Sequence, residues 1–328
     1  MLTDSERQAA IDAVILASKL CQNVRSKLDQ GASKEKEDRS PVTIADFGAQ
    51  AVVLNALAKV SPDVPAVGEE DASDLRGDAN AALRERVVSE VQALVPELTE
   101  STVLEAIDRG NHSGGASGRF WTLDPIDGTK GFLRNDQYAV ALALIEDGEV
   151  TFGVLGCPHL PIDWKNPDAG RGCFMVAEKG KGCKQLDSEG KSLGKVQVDQ
   201  VTDPTKASFC ESVESGHTKH GWAAAVAEKL GITTESVRMD SQCKYTAIAR
   251  GDASIYLRLP TRPGYEEKIW DHAAGVLCVT EAGGNVTDIT GAALDFSIGR
   301  TLKDNRGVIA TNGPIHDAVV TAVQAAQE

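Results

Sequence analysis

Small and aliphatic residues recur at helical spacing near the start of the chain: Ala10, Ala13, Val14, Ala17, Leu20, Cys21, Val24 and Leu28. That spacing lines one face and predicts a long amphipathic helix. Thr3-Asp4-Ser5-Glu6 matches a capping box, so the helix begins there. Residues 29–40 are charged and aperiodic, and read as a mobile loop and candidate lid. A second helix opens at Ser40-Pro41-Val42-Thr43-Ile44-Ala45-Asp46, buries Val52, Val53 and Leu57, and stops at Ser61-Pro62. The pattern then predicts a strand over 64–67, helices over 79–96 and 101–109, a Gly/Ser loop over 111–118 and a strand over 120–123.

After Phe132 the period changes. Apolar segments at 138–145, 150–155 and 173–177 are separated by Gly/Pro turns, and Asp147-Gly148 is a hairpin signal. This predicts an antiparallel sheet reaching about residue 198. From 206 strands alternate with helices: strands at 207–211, 236–239, 253–257, 285–287 and 308–310, and helices at 222–230, 241–249, 269–282 and 314–326. That alternation favours an α/β layer. Two domains are expected, an α+β domain over 1–200 and a smaller α/β domain over 201–328.

The composition is that of an ordinary globular chain: 328 residues, 41% hydrophobic and 25% charged. The net charge of −14, with no Lys/Arg block, argues against binding a nucleic-acid polymer. No apolar run approaches the ~20 residues that span a membrane. The first residues lack both a basic, apolar leader and an Arg-rich, acid-poor transit pattern, so a cytoplasmic location is expected. The seven cysteines are odd in number and contain no C-x-x-C pair, so they are expected to be reduced. Cys157, Cys173 and Cys183 lie close in sequence and could also form a redox-sensitive pair.

The chemistry concentrates in Trp121-Thr122-Leu123-Asp124-Pro125-Ile126-Asp127-Gly128-Thr129-Lys130-Gly131-Phe132. Asp124 and Asp127 are expected across a stiff, Pro-containing turn. Carboxylates that close repel unless a cation lies between them. Carboxylates and carbonyls are the ligands of magnesium, calcium or manganese, and the Ile126 carbonyl is a candidate third ligand. Gly128 lets the backbone approach a ligand, Thr129 offers a hydroxyl, and a helix starting there would aim N–H groups at a phosphate. D-P-x-D-G-T is also simply a good turn. Glu69-Glu70-Asp71 ends a strand and could hold a cation; Asp46 falls in or beside a helix first turn, whose field keeps a carboxylate ionised. His217, Ser241, Lys244, Arg258 and Asp271 all fall at element ends, where sites form in α/β layers.

Three of these segments, Gly68-Glu69-Glu70, Asp124-Pro125-Ile126-Asp127-Gly128-Thr129 and Trp270-Asp271-His272-Ala273-Ala274-Gly275, resemble in order the signatures of the inositol monophosphatase-like superfamily of phosphatases. The segments at 40–46, Gly131-Phe132-Leu133-Arg134, Gly216-His217, Ser241-Gln242-Cys243-Lys244-Tyr245 and Tyr256-Leu257-Arg258-Leu259-Pro260 are similar to its branch acting on 3'(2'),5'-bisphosphate nucleotides. The resemblance implies a layered α-β-α-β-α sandwich, two or three magnesium ions and inhibition by lithium. It implies Glu69, Asp124, Ile126, Asp127 and Asp271 as metal ligands, and Asp46 and Thr129 as the pair that positions and deprotonates water. Gly128, Thr129, His217, Ser241, Lys244, Arg258 and Asp271 would hold the substrate. The implied reaction removes the 3'-phosphate of adenosine 3',5'-bisphosphate, with 3'-phosphoadenosine 5'-phosphosulfate as a second substrate and a place in sulfur assimilation. An inositol polyphosphate 1-phosphatase and a non-catalytic nucleotide sensor are the alternatives. A monomer that meets only small molecules is expected.

Overall fold

The computed structural model describes residues 2–29, 41–213, 220–262 and 264–327. Of the candidate lid at 29–40, Asp29 ends the first helix instead, and residues 30–40, like His217, lie outside the described residues.

The first helix, α1 (Asp4–Asp29), carries the expected cap: Thr3 N–H donates to Glu6 Oε2 at 2.8 Å, and Glu6 N–H donates to Thr3 Oγ1 at 3.2 Å. Then follow α2 (Pro41–Val60), β1 (Ala66–Gly68), α3 (Ser73–Arg76), α4 (Ala81–Gln92), α5 (Glu100–Asp108), β2 (Arg119–Asp127) and α6 (Thr129–Leu133). Next come β3 (Ala139–Glu146), β4 (Glu149–Pro161), β5 (Arg171–Glu178), β6 (Gly182–Leu186) and β7 (Ser192–Lys195). The C-terminal part contains β8 (Phe209–Glu211), α7 (His220–Leu230), β9 (Val237–Arg238), α8 (Cys243–Ala249), β10 (Ile255–Arg258), α9 (Ala273–Glu281), β11 (Asn285–Thr287), β12 (Val308–Thr311) and α10 (His316–Ala325).

The first sheet runs β1 to β7 in sequence order, parallel only between β1 and β2. Asp147 and Gly148 turn β3 into β4 with φ of 51° and 81°, the left-handed pair a tight hairpin requires. The second sheet has the order β11-β12-β10-β8-β9, with β10, β8 and β9 parallel.

Both faces of the first sheet are covered, and β3 shows how. Val140, Leu142 and Leu144 face one core with α1 and α2, while Ala139, Ala141, Ala143 and Ile145 face another with α8 and α9. The alanine face leaves room for a close helix: a Cβ on Gly153 would lie 3.2 Å from Ala274 Cα of α9. Forcing in such a group costs about 1–3 kcal/mol. The second sheet packs its other face against α7 and α10 around Ile255, Ile309 and Val319. The layers therefore run α1/α2, sheet, α8/α9, sheet, α7/α10, which is the α-β-α-β-α sandwich expected.

All seven cysteines are free and buried. Cys157 and Cys173 face each other across β4 and β5. Burial raises the Cys173 thiol to about 12, so it stays protonated at neutral pH and is a poor nucleophile. No helix among the described residues is long and apolar enough to cross a membrane.

Candidate active site

Three elements bring the acids together. The parallel pairing of β1 with β2 sets Gly68 beside Leu123, and Glu69 N–H donates to Leu123 O at 3.2 Å, so Glu69 emerges next to Asp124. Gln50 of α2 fastens this strand end: its Nε2 donates to Glu70 O at 2.5 Å and its Oε1 accepts from Glu70 N–H at 3.1 Å. Asp46, one turn earlier on α2, is buried.

Asp124 and Asp127 are not in the turn expected from Pro125. The strand continues through them, and its register with β3 shifts between Asp124 and Asp127. In an unbroken strand, positions three apart point to opposite faces. The irregularity, placed where Pro125 has no N–H to give the ladder, lets both acids line one cleft. Gly128 follows with φ 91°, and a Cβ there would meet Ser241 Cβ at 2.7 Å. A Cβ on Gly131 would lie 2.1 Å from Gln137 O, so this turn tolerates no side chain. The helix it opens, α6, is only five residues, too short for a strong dipole at Thr129.

The predicted helix over 269–282 is also interrupted. Ile269–Asp271 form one 3₁₀ turn, His272 breaks the run at φ −134°, and α9 starts afterwards. The break leaves Asp271 on the cleft while His272 is fully buried, its Nδ1 2.7 Å from Tyr245 Oη and its Nε2 3.2 Å from Glu267 Oε2.

The cleft has a volume of about 410 Å³. It gathers Glu69, Asp124, Ile126, Asp127, Gly128 and Thr129 from the first sheet's side with Ser241, Lys244, Arg258 and Asp271 from the other. Asp46 does not line it. Sequence reasoning missed Lys130, Asp240 and Tyr265, which also line it. Lys130 could have been found, since it directly follows Thr129; Tyr265 carries no local signal. A second cleft of about 440 Å³ adjoins through Lys130, Arg258 and Tyr265, and adds Arg262.

The acids are poorly compensated. Burial, then Asp271 and Glu70, push Glu69 up to about 8, and its carboxyl comes within hydrogen-bonding reach of Asp124. Burial, then Glu69, Asp127 and Asp271, raise Asp124 well above the carboxylate range. Burial and Asp271 raise Asp127 to about 6, against the opposing pull of Lys244, Arg258 and the N–H of Gln242. That N–H lies 2.5 Å from Asp127 Oδ2. Asp46 is not held ionised by a helix first turn as expected: α2 begins at Pro41, which puts Asp46 in its second turn, and burial, Glu70 and Glu69 raise it well above the carboxylate range. Asp124 Oδ1 is buried without a hydrogen-bond partner. Buried carboxylates that lack donors need either protons or a cation. The donor set is entirely oxygen, which suits a hard divalent ion.

The opposite wall is cationic. Lys244 is 4% exposed, with its ammonium 5.2 Å over the Tyr256 ring. Burial lowers its pKa and Asp127 supports its charge. Ser241, just ahead, has φ 64°, a left-handed conformation uncommon for serine and frequent at functional sites. Arg258 Nη2 lies 2.7 Å from Glu267 and 3.0 Å from Asp271. Glu267, Asp271 and His272 can place three ligand atoms within 4.8 Å of one another. This trio already has its cation, however, because Arg258 contacts both carboxylates. Burial acts to raise Glu267, but Arg258 and His272 outweigh it and hold it at about 2.

The model of the inositol monophosphatase family matches residues 3–328. The chain is 46% identical to a 3'(2'),5'-bisphosphate nucleotidase of Schizosaccharomyces pombe, over 99% of this chain and 96% of that one. It is 48% identical to the Emericella nidulans protein of the same name, over 99% of each. Among solved structures, the extragenic suppressor protein suhB of Bartonella henselae aligns with TM-score 0.63 at 19% identity, covering 98% of this chain and 99% of that one. An inositol monophosphatase from Anabaena aligns with TM-score 0.62 at 18% identity, covering 97% and 95%. Those two likenesses establish the fold.

Proposed function

The chain belongs to the inositol monophosphatase family, and from that premise we propose that it hydrolyses 3'(2'),5'-bisphosphate nucleotides, with adenosine 3',5'-bisphosphate giving AMP and phosphate. The names of its near full-length relatives support the substrate class. The observation that carries the reading is the cleft's polarity: acids crowded around the buried, unpartnered Asp124 Oδ1 on one wall, and the buried Lys244 with Arg258 on the other. The first wall suits a metal and the second suits a phosphate that is kept.

Glu69, Asp124, Asp127, Asp271 and the carbonyl of Ile126 would hold two or three magnesium ions. Bound magnesium would neutralise the phosphate oxygens, acidify water and stabilise the leaving oxygen. The chain's own residues do the rest. Thr129 orients the attacking water, and Asp46, which does not line the cleft but lies within electrostatic reach of Glu69 and Glu70, is its proposed proton acceptor. Water oxygen bonds to phosphorus, the bond from phosphorus to the 3'-oxygen breaks, and that oxygen takes a proton from solvent water and leaves as the ribose hydroxyl. Ser241, Lys244 and Arg258 fix the 5'-phosphate, with His217 on the same substrate; Arg258 can give paired hydrogen bonds to it. Alignment of this kind supplies much of the rate in phosphoryl transfer. Gly128, which tolerates no side chain, lets the substrate approach the backbone, while Asp271 serves both walls. The adjoining cleft, with Lys130 and Arg262, has the charge to take the sulfate of 3'-phosphoadenosine 5'-phosphosulfate. Lithium would inhibit if it displaced one weakly held magnesium. The enzyme works as a cytoplasmic monomer in two parts that meet near residue 200.

The test is phosphate release in magnesium from adenosine 3',5'-bisphosphate, inositol 1-phosphate and inositol 1,4-bisphosphate, with and without lithium. A lithium-sensitive preference for the nucleotide is expected. Preference for the inositol compounds overturns the nucleotide assignment and keeps the metal wall. No release from any of them favours a nucleotide sensor. Lys244→Ala sharpens the result: it should raise KM for the bisphosphate about tenfold or more, and for a monophosphate much less.

A further inference from the structure

Arg300 lies outside the cleft, in the segment between β11 and β12, yet it touches both elements that carry opposing acids. Its Nη2 donates to Gly68 O at 2.6 Å. Its Nη1 donates to Gly110 O at 3.1 Å and to His112 O at 2.9 Å. Its guanidinium carbon sits 4.9 Å over the ring of Trp270. Gly68 directly precedes Glu69, and Trp270 directly precedes Asp271. The main chain adds to the tie: Ile269 N–H donates to Arg300 O at 3.2 Å, and Lys268 bridges Thr301.

Among the described residues the guanidinium makes no ion pair, and the donors just named all go to main-chain carbonyls. An arginine that only served solubility would keep its charge in water. This one spends its planar fork on a strand end, a loop and an aromatic face, the geometry a lysine cannot reproduce. Glu69 and Asp271 line the same cleft, and two carboxylates that share a cation must be held at a fixed separation. Something must hold their backbones in place before a cation arrives.

We propose that Arg300 is a positioning residue for the metal site: it clamps the end of β1 to the Trp270 turn, and so fixes the separation of Glu69 and Asp271. The inference rests on the metal reading of the cleft given above. Partners that orient ligands typically account for about 10–100-fold in metal affinity when removed.

The experiment measures manganese binding to the metal-stripped full chain by titration calorimetry, for the wild type, Arg300→Met and Arg300→Lys, with melting curves in chelator. Arg300→Met should weaken manganese binding about tenfold or more. Arg300→Lys, which keeps the charge over Trp270 and can reach one carbonyl, should recover part of that loss. Both should unfold in chelator within a few degrees of wild type, since three partly exposed hydrogen bonds contribute little to the whole fold. Wild-type affinity in Arg300→Met overturns the positioning role and leaves the metal reading standing. A loss of affinity that follows only a large drop in melting temperature, equal in both variants, overturns it too. A wild-type chain that binds no manganese overturns the metal reading and the clamp with it.

Discussion

Glu69, Asp124 and Asp127 on one side of the cleft, and Arg258, Glu267 and Asp271 on the other, are two clusters of charged side chains, each with one buried acid, Asp124 in the first and Glu267 in the second. They are balanced in opposite ways. Arg258 contacts both Glu267 and Asp271, and His272 completes Glu267, so the second cluster is closed by its own residues. Among the described residues the first has no arginine or lysine in salt-bridge contact, although Lys244 and Arg258 act on Asp127 from a distance: Asp124 Oδ1 is orphaned, and Glu69 is pushed to about 8. Proximity of ligand atoms alone would single out Glu267, Asp271 and His272 as the metal centre. Compensation points instead to the group that is geometrically looser and electrostatically unfinished. A site built for an external cation is recognised by what it lacks.

The contrast is broken most severely at Asp127. Asp127→Asn keeps the shape and removes a negative charge, and should lower phosphate release on the order of a thousandfold. Full activity in that variant would remove Asp127 from the metal wall.

A second effect concerns protons. Glu69 has an ordinary value of 4.5 and is raised to about 8 in the folded, metal-free chain; Asp127 moves the same way, to about 6. The folded chain therefore holds more protons than the unfolded one between about pH 4 and 8, and stability from these acids falls as pH rises through that window. Glu267 acts in the opposite sense and lower down: its contribution is present above 4.5 and is lost as pH falls to about 2. His159 and His316, both lowered chiefly by burial, favour the folded chain as pH rises through their range. Melting with and without magnesium separates the acids from the histidines. Magnesium should raise the melting temperature by more degrees at pH 8 than at pH 5. At pH 7 its uptake should release on the order of one proton, read by calorimetry in buffers of different ionisation heat. Equal stabilisation at both pH values, with no proton released, would contradict the unfinished-wall account.

The smallest effect is expected at Glu267. Glu267→Gln can still accept from Arg258 and His272, so manganese affinity should stay within about twofold of wild type. A tenfold loss would make Glu267 itself part of the metal centre, beside Asp271.

Much of this was legible in the linear chain. The capping box at Thr3–Glu6, the helical faces of α1 and α2, the Asp147-Gly148 hairpin and the β/α alternation after 206 are all local signals, and all appear in the fold. So are the acidic motifs that meet in the cleft. Two local readings failed for non-local reasons. Asp124 to Asp127 reads as a turn because Pro125 and Gly128 favour one, but pairing with β3 carries the strand through it. Residues 269–282 read as one helix because their apolar period is unbroken. His272 stops it there, as its ring is held between Tyr245 and Glu267.

The sequence by itself determined the family, the layers and which residue types would meet, because periodicity, turn chemistry and motif order act over a few positions. Tertiary structure alone decided which charges are balanced. Glu69 meets Asp124 across 55 positions and Arg300 reaches Gly68 across 232, and burial at such junctions, set by packing, determines whether a carboxylate finds an arginine or needs a metal.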